Sequence, residues 1–105
     1  MLTPREHQKL EKYIHGIDVQ RIAIAFDALG EPNRCLIFRA LLKGRAVRVG
    51  DLASVVRISD PLASQHLKIL LQSGLVTKQK IGKSVYYQVN AANPLIGALQ
   101  KAVEA

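Results

Sequence analysis

Residues 49–73 decide the fold, and they read VGDLASVVRISDPLASQHLKILLQS. Apolar residues recur in this stretch at helical spacing, first in a short pattern over 49–56 and then in a longer one. The connection between the two patterns, near Arg57, is only three or four residues long. A capping residue, Ser59 or Asp60, then begins the second helix. This order and spacing predict a helix-turn-helix.

A β-hairpin is predicted directly after the second helix. Segments 75–80 and 84–89 are rich in β-branched and aromatic residues, and Gly82 lies between them in a short turn. In this position the hairpin forms the wing of a winged helix-turn-helix, which we assign to residues 75–90. Tyr86 and Tyr87 alternate across their strand, so one ring faces the core, and the pattern leaves open which one.

Helical patterns flank this unit on both sides. Thr3 with Pro4 is a typical helix start, and Asp18 is a suitable cap for a second helix, whose apolar stripe includes Phe26. A third helix ends near Gly44. We therefore predict one mainly α-helical domain over residues 1–105, with the element order α-α-α-α-α-β-β-α.

The two terminal segments, 1–21 and 93–105, each carry an apolar stripe outside the winged-helix unit. These stripes either pack on each other within one chain or meet a second chain across a two-fold axis. A dimer places two reading helices about 34 Å apart, which a single chain cannot do. We predict a homodimer through the terminal helices, with the interface residues Leu10, Ile14, Ile17, Leu95, Ile96, Leu99 and Val103.

The charge of the chain is unevenly distributed. Fifteen Lys and Arg against eight Asp and Glu give a net charge of +7, and residues 34–103 contain only two acids, Asp51 and Asp60. Such a distribution is either a solvated basic face or a surface that attracts nucleic acid. The predicted fold favours nucleic acid, because the basic residues include Lys68 on the second helix and three lysines on the wing.

The second helix of the pair, residues 60–73, is the predicted reading helix for the DNA major groove. Gln bonds an adenine edge, Ser serves either base type, and Leu meets a thymine methyl. The predicted base-reading residues are Pro61, Leu62, Ser64 and Gln65. The predicted phosphate contacts are Lys68, Lys78, Lys80, Lys83 and His66. Two competing interpretations remain: the wing lysines also protect an exposed strand edge, and His66 also suits a structural hydrogen bond.

No enzymatic or metal site is expected. The chain lacks a Gly-rich phosphate loop, a nucleophile-elbow motif and a credible carboxylate pair. Its single cysteine, Cys35, excludes an internal disulfide and any multi-cysteine zinc site. Cys35 lies among apolar residues of the third helix, which favours an inert core thiol over a redox sensor. The longest apolar run, at 22–26, is too short to span a membrane, so we expect a cytoplasmic protein without a membrane partner. No cofactor is expected.

Five motifs follow one recognisable order: DALGEPNR at 27–34, DLA at 51–53, SQHLK at 64–68, GLV at 74–76 and GKSVYY at 82–87. From about Ile22 to Val89 the chain resembles the ArsR/SmtB family of bacterial winged-helix repressors. The resemblance implies a homodimer that binds an inverted-repeat operator and releases it when an effector arrives. It also implies that the first and last helices form the dimer interface, and that the protein works at the nucleoid in the bacterial cytoplasm.

The sequence departs from this family where members sense their effectors. The Cys-x-Cys of many members is absent from residues 46–51, and the last helix contains no metal ligand and no second Cys. We therefore predict no metal site, and the sequence specifies no effector. Arg57 stands where a helix-turn-helix often has Gly, and Asp60 would repel a close phosphate. A winged-helix module that binds proteins is the alternative function, although such a module does not need the lysines of the wing.

Overall fold

The computed structural model describes all 105 residues and contains six helices and three strands. In chain order they are α1 (Pro4–Ile14), α2 (Val19–Leu29), α3 (Pro32–Leu41), β1 (Val47–Arg48), α4 (Val49–Val56), α5 (Asp60–Gln72), β2 (Val76–Ile81), β3 (Ser84–Val89) and α6 (Ile96–Glu104). Helices α4 and α5 form the helix-turn-helix, and the β2–β3 hairpin is the wing. The predicted fold class, a mainly helical winged helix-turn-helix, is confirmed.

Side-chain caps fix where the helices begin. Thr3 and Glu6 form a capping box at α1: the Thr3 hydroxyl accepts the Glu6 N–H at 3.2 Å, and the Glu6 carboxylate accepts the Thr3 N–H at 3.0 Å. Asp18, Glu31 and Ser59 each accept the backbone N–H three residues later, which caps α2, α3 and α5. Of the two caps that the sequence offered for α5, the chain uses Ser59.

The core is centred on α3, which lies between the helix-turn-helix and α6. Ile37, Phe38 and Leu41 of α3 are fully buried. Burial of a side chain of this size contributes about 1.5–3 kcal/mol to the free energy of unfolding. The other large members of the core are Leu52, Leu67, Leu70, Leu75 and Leu99. Through these residues α4, α5, the wing base and α6 share one core, so α5 is supported along its buried face.

The wing belongs to a three-stranded antiparallel sheet in the order β1-β3-β2. The sequence predicted only the hairpin, because β1 has two residues, too few for a period to be visible. Val47 of β1 pairs with Tyr87 of β3. Tyr87 packs against the core and is therefore the core-facing ring. At the hairpin tip Gly82 has a φ of 63°, a left-handed conformation that glycine adopts without steric cost in a two-residue turn.

Two apolar residues lie differently from their prediction. Phe26 was placed on the apolar stripe of α2, but it is 63% exposed, while the small residues Ala25 and Ala28 face the core. Leu99 was assigned to a dimer interface, but it is only 6% exposed and belongs to the core of its own chain. Its burial shows that the α6 stripe packs on α3, so Leu99 is not free to meet a second chain.

Helix α6 also begins later than predicted. The expected start was near residue 93, but the helix begins at Ile96. The intervening residues form a turn in which the Asn93 side chain accepts the N–H of Leu95 at 2.9 Å and donates to the carbonyl of Gly74 at 3.1 Å. This polar turn connects the wing base to α6 and competes with an earlier helical turn.

Helix α1 differs from the other helices because none of its residues is buried. It makes no substantial contact with another element, and the molecule is 61 Å long but only 24 Å and 23 Å across. Leu10, Ile14 and Ile17 are 48%, 52% and 61% exposed. The predicted stripe therefore exists, but it does not pack on α6 of the same chain. None of the six helices combines the length and apolar composition needed to cross a bilayer.

Candidate nucleic-acid interface

A three-residue turn sets the geometry of the helix-turn-helix. Helix α4 ends at Arg57, which has φ 67° and ψ 48°, and the next N–H, that of Ile58, bonds to the Ala53 carbonyl at 3.0 Å. The chain then extends at Ser59, whose hydroxyl caps α5 by accepting the Leu62 N–H at 3.2 Å. Because the turn is closed by hydrogen bonds at both ends, α5 has a fixed direction relative to α4.

Helix α5 has one buried face and one open polar face. Ala63, Leu67 and Leu70 are fully buried against the core. On the opposite side Pro61, Ser64, Gln65 and Lys68 are all exposed, and Leu62 is half-buried beside them. The side chains of Ser64, Gln65 and Lys68 form no hydrogen bond or ion pair within the chain, so their polar atoms are free for a ligand. The structure thus brings the sequence-predicted reading residues together on one surface.

The wing presents a second set of free cations. Lys78 and Lys80 are exposed on β2, opposite Tyr87 and Val85 of β3, and Lys83 lies in the tip turn. Side chains directly opposite in an antiparallel pair share a face, so Lys78 and Lys80 project from the same face as the core-packed Tyr87. None of the three lysines has an acidic partner within ion-pair distance. Their charges are therefore available to an external anion.

His66 has a different environment from the one expected for a phosphate contact. Its side chain is only 11% exposed, and its Nε2 atom lies 3.6 Å from the Glu31 carboxylate. The Arg34 guanidinium lies 3.4 Å from Nδ1 of His66 and donates to the Ala28 carbonyl at 2.6 Å. Because both ring nitrogens face Glu31 and Arg34 at the start of α3, neither is free for an external phosphate. The structure supports the structural hydrogen bond and corrects the assignment to phosphate.

This network of Glu31, Arg34 and His66 was not found in the sequence. Arg34 and His66 are 32 positions apart, and no local pattern relates two residues at that separation. Both residues did belong to recognised motifs, DALGEPNR and SQHLK, but the motifs gave no indication of contact. In the fold, the network attaches the buried side of α5 to the start of α3, where Glu31 also serves as the helix cap.

Two arginines near the interface were also not assigned from the sequence. Arg48 precedes α4 and lies 3.6 Å from the Asp51 carboxylate, so its charge is partly neutralised. Arg57 is exposed at the left-handed position between α4 and α5 and has no side-chain partner. The sequence signal that could have identified Arg57 is the departure from the usual residue, since a helix-turn-helix often has Gly at this position.

The remaining candidate groups are dispersed. Cys35 is half-buried in α3, and it is the only cysteine of the chain. No cluster of three or more His, Cys, Asp or Glu side chains is arranged to hold a metal ion.

Comparison with known proteins identifies the family. Residues 31–78 match the family model of the bacterial regulatory proteins of the arsR family. The transcriptional repressor SdpR of Bacillus subtilis is 38% identical over 65 residues, which span 62% of this chain and 71% of SdpR. The structure of NolR from Sinorhizobium fredii is 28% identical and superimposes with a TM-score of 0.69 over 99% of this chain and 93% of NolR.

A third relative has the same fold at lower identity. The homodimeric winged helix-turn-helix DNA-binding domain Mb0332 from Mycobacterium bovis is 21% identical, with a TM-score of 0.70 over 99% of this chain and 85% of that domain. The family match rests on the segment that contains α3, the helix-turn-helix and the start of the wing. This chain belongs to the ArsR family of bacterial transcriptional regulators, whose members are regulators rather than enzymes.

Proposed function

We propose that the chain is a transcriptional repressor that binds an inverted-repeat DNA operator as a homodimer. The observation that carries the proposal is the open polar face of α5, where Ser64, Gln65 and Lys68 have no partner within the chain. The opposite face of α5 is buried in the core, which holds the helix in place. The helix can therefore present its unpaired polar face to DNA without rearrangement.

Base recognition is assigned to the first two turns of α5. Gln65 has a side-chain amide that both donates and accepts, which suits the N6 and N7 edge of adenine in the major groove. Ser64 lies beside it and serves either base type. Pro61 and the half-buried Leu62 offer apolar contact to a thymine methyl group at the start of the helix. These four residues are the proposed source of sequence specificity.

Phosphate contact is assigned to four lysines: Lys68 on α5 and Lys78, Lys80 and Lys83 on the wing. Lysine is a compact charge that attracts phosphate without discriminating between bases. Each phosphate that is neutralised releases condensed counterions, so such contacts make affinity fall as salt rises. The absence of ion-pair partners for the wing lysines supports this role over simple protection of a strand edge.

Dimer formation is assigned to the apolar stripe of α1. The stripe is exposed in a single chain, and an exposed apolar stripe of this kind is a typical site of protein association. Ile96 and Val103 of α6, and Leu95 just before it, remain half-buried, so their outer atoms extend the proposed interface, whereas Leu99 does not. The homodimeric state of Mb0332 is consistent with this arrangement.

A matched pair of variants tests the proposal on DNA selected from a random pool. Gln65→Ala should lose about 1–3 kcal/mol of binding free energy on the selected site and relax its specificity at one base pair. Lys83→Ala should weaken binding to selected and scrambled DNA equally and lower the salt slope by about one. Fluorescence anisotropy over a salt series measures both.

Gln8→Ala is the control for this pair, because Gln8 is exposed on α1, outside the proposed contacts. We expect Gln8→Ala to bind DNA like the unmodified chain. An equal loss for Gln65→Ala on both DNAs would show that Gln65 reads no base. An unchanged salt slope for Lys83→Ala would remove the wing tip from the phosphate contacts.

A further inference from the structure

We propose that Arg57 is an additional phosphate contact of the DNA interface, and that the chain tolerates backbone strain in the turn between α4 and α5 to keep it there. The inference rests on the proposed DNA-binding function and adds a residue to it. Three independent observations carry it: the backbone conformation of Arg57, the absence of any partner for its side chain, and its place beside the reading helix.

The backbone conformation is the first observation. Four residues of the chain have a positive φ, namely Gly44, Gly74, Gly82 and Arg57, with Arg57 at 67°. An L-residue with a side chain is strained in this region because Cβ approaches the backbone, whereas glycine is not. At the other three left-handed positions the chain uses glycine. Arg57 is the exception, so we expect its side chain to make an interaction that offsets the strain.

Contacts within the chain do not provide such an interaction for Arg57. Arg57 is exposed, and its guanidinium has neither a hydrogen bond nor an ion pair within the chain. The backbone N–H of Arg57 does bond to the carbonyl of Ser54 at 3.3 Å, but any non-proline residue would do the same. Arg34, Arg39 and Arg48 have partners in the fold, whereas Arg57, like Arg5 and Arg45, has none. Unlike those two arginines, Arg57 occupies a left-handed position, so its free side chain points to a partner outside the monomer.

The location of Arg57 indicates what that partner is. The residue lies two positions before Ser59, the cap of α5, and four before Pro61, where the proposed base-reading face begins. When the start of a reading helix lies in the major groove, sugar–phosphate strands flank it on both sides. The planar guanidinium matches the geometry of a phosphate and donates two parallel hydrogen bonds to it.

Asp60 makes such a cation useful. This acid begins α5, is exposed and would repel a phosphate near the start of the reading helix. Its Oδ2 atom lies 3.9 Å from where a Cβ on Gly50 would stand, so its charge is held near the first turns of both α4 and α5. A free arginine in the connecting turn offsets that repulsion and restores attraction for the DNA backbone.

Replacement of Arg57 by glycine removes both the backbone strain and the guanidinium. Thermal stability and DNA affinity should therefore change in opposite directions. Arg57→Gly should retain or raise the midpoint of thermal unfolding, because the left-handed strain is removed. The same variant should lose about tenfold in DNA affinity, equally on selected and scrambled sites, and its salt slope should fall by about one.

Two further variants complete the test. Arg57→Gln keeps the strain but removes the charge, so it should lose affinity and salt slope without a gain in stability. Arg57→Lys keeps both strain and charge and should retain the salt slope. Lys9→Gln, an exposed basic residue on α1, is the control and should change neither quantity.

The outcomes distinguish this inference from the proposed function. If the unmodified chain binds its selected DNA but Arg57→Gly and Arg57→Gln keep the full salt slope, Arg57 contacts no phosphate and the inference is wrong. A loss confined to the selected site, with the slope unchanged, would make Arg57 a base reader and would also overturn it. If the unmodified chain shows no salt-dependent DNA binding, the proposed function itself fails and the inference fails with it.

Discussion

Helices α1 and α5 are both amphipathic and similar in length, at 11 and 13 residues, but they leave opposite faces in solvent. Helix α5 buries Ala63, Leu67 and Leu70 in the core and exposes Ser64 and Gln65. Helix α1 buries nothing and exposes Leu10 and Ile14. The difference indicates two kinds of partner: the free face of α5 suits a polar, charged ligand, and the free face of α1 suits another apolar surface.

Helices α1 and α5 also differ in what stabilises them. Helix α5 is held by the core, where Leu67 and Leu70 are fully buried. Helix α1 has only its capping box within the chain, and an isolated helix of about 12–15 residues or fewer is marginal in water. We therefore expect disruption of α1 to act on association, and disruption around α5 to act on the fold of each chain.

The largest expected effect follows from a charge placed on the α1 stripe. Ile14→Glu should convert the dimer into a monomer, because a carboxylate cannot be buried cheaply in an apolar interface. Loss of the second half-site should weaken binding to an inverted repeat by about a hundred- to ten-thousand-fold. Sedimentation measures the mass, and anisotropy measures the affinity.

The matched control is Gln8→Glu, which adds the same charge to the polar side of α1. It should leave both the mass and the affinity unchanged, apart from a small electrostatic loss. If Ile14→Glu remains dimeric, the α1 stripe is not the interface, and the contrast between α1 and α5 would need another explanation.

The next largest effect is a loss of stability when the Glu31, Arg34 and His66 network beside α5 is broken. Arg34→Met removes the guanidinium from the Ala28 carbonyl and from Nδ1 of His66. Partly buried polar groups that lose their partner cost about 1–3 kcal/mol each, so we expect the free energy of unfolding to fall by an amount in that range. Urea denaturation of the chain measures the change.

Arg39→Met is the control for that substitution. The Arg39 guanidinium donates to the Val103 carbonyl at 3.0 Å, but this hydrogen bond lies at the surface. Its loss should cost much less than the loss of Arg34, because water replaces the partner. Equal losses for the two variants would show that the network beneath α5 adds no special stability.

The smallest effect is a pH dependence at the start of α1. The pKa of Glu6 is lowered below the usual 4.5, because its carboxylate accepts the Thr3 backbone N–H and bonds within the capping box to the Thr3 side chain. A lowered pKa in the folded state means that Glu6 stabilises the helix above its unfolded pKa and that this contribution is lost as pH falls through the folded pKa. Carboxyl NMR titration measures the pKa directly.

Thr3→Ala provides the comparison. It removes one partner of the capping box, so the pKa of Glu6 should rise towards 4.5. An unchanged Glu6 titration in Thr3→Ala would assign the lowered pKa to the backbone N–H alone.

Features encoded by nearby residues could be predicted from the sequence. The caps Thr3 and Asp18, the turn before α5 and the hairpin around Gly82 each depend on a few adjacent residues, so their chemistry is visible in the chain. The open face of α5 was predicted for the same reason, since its members recur at helical spacing.

Features that depend on tertiary contact could not be predicted in this way. Helix α2 is apolar on several sides, so periodicity alone did not show that Phe26 would lie in solvent while its neighbour Ala25 faces the core. Strand β1 has only two residues, and it exists because β3 offers a free edge for pairing. The contact between Arg34 and His66 joins distant parts of the chain, and Leu99 is buried because α6 lies on α3.

The most direct test of the account is selection of bound duplexes from a random DNA pool by the unmodified chain, followed by the native mass of the selected complex. We expect a palindromic site with half-sites about 10–10.5 base pairs apart, or a multiple of that spacing, bound by two chains. Failure to enrich any sequence, or enrichment of a site bound by a single chain, would contradict the account.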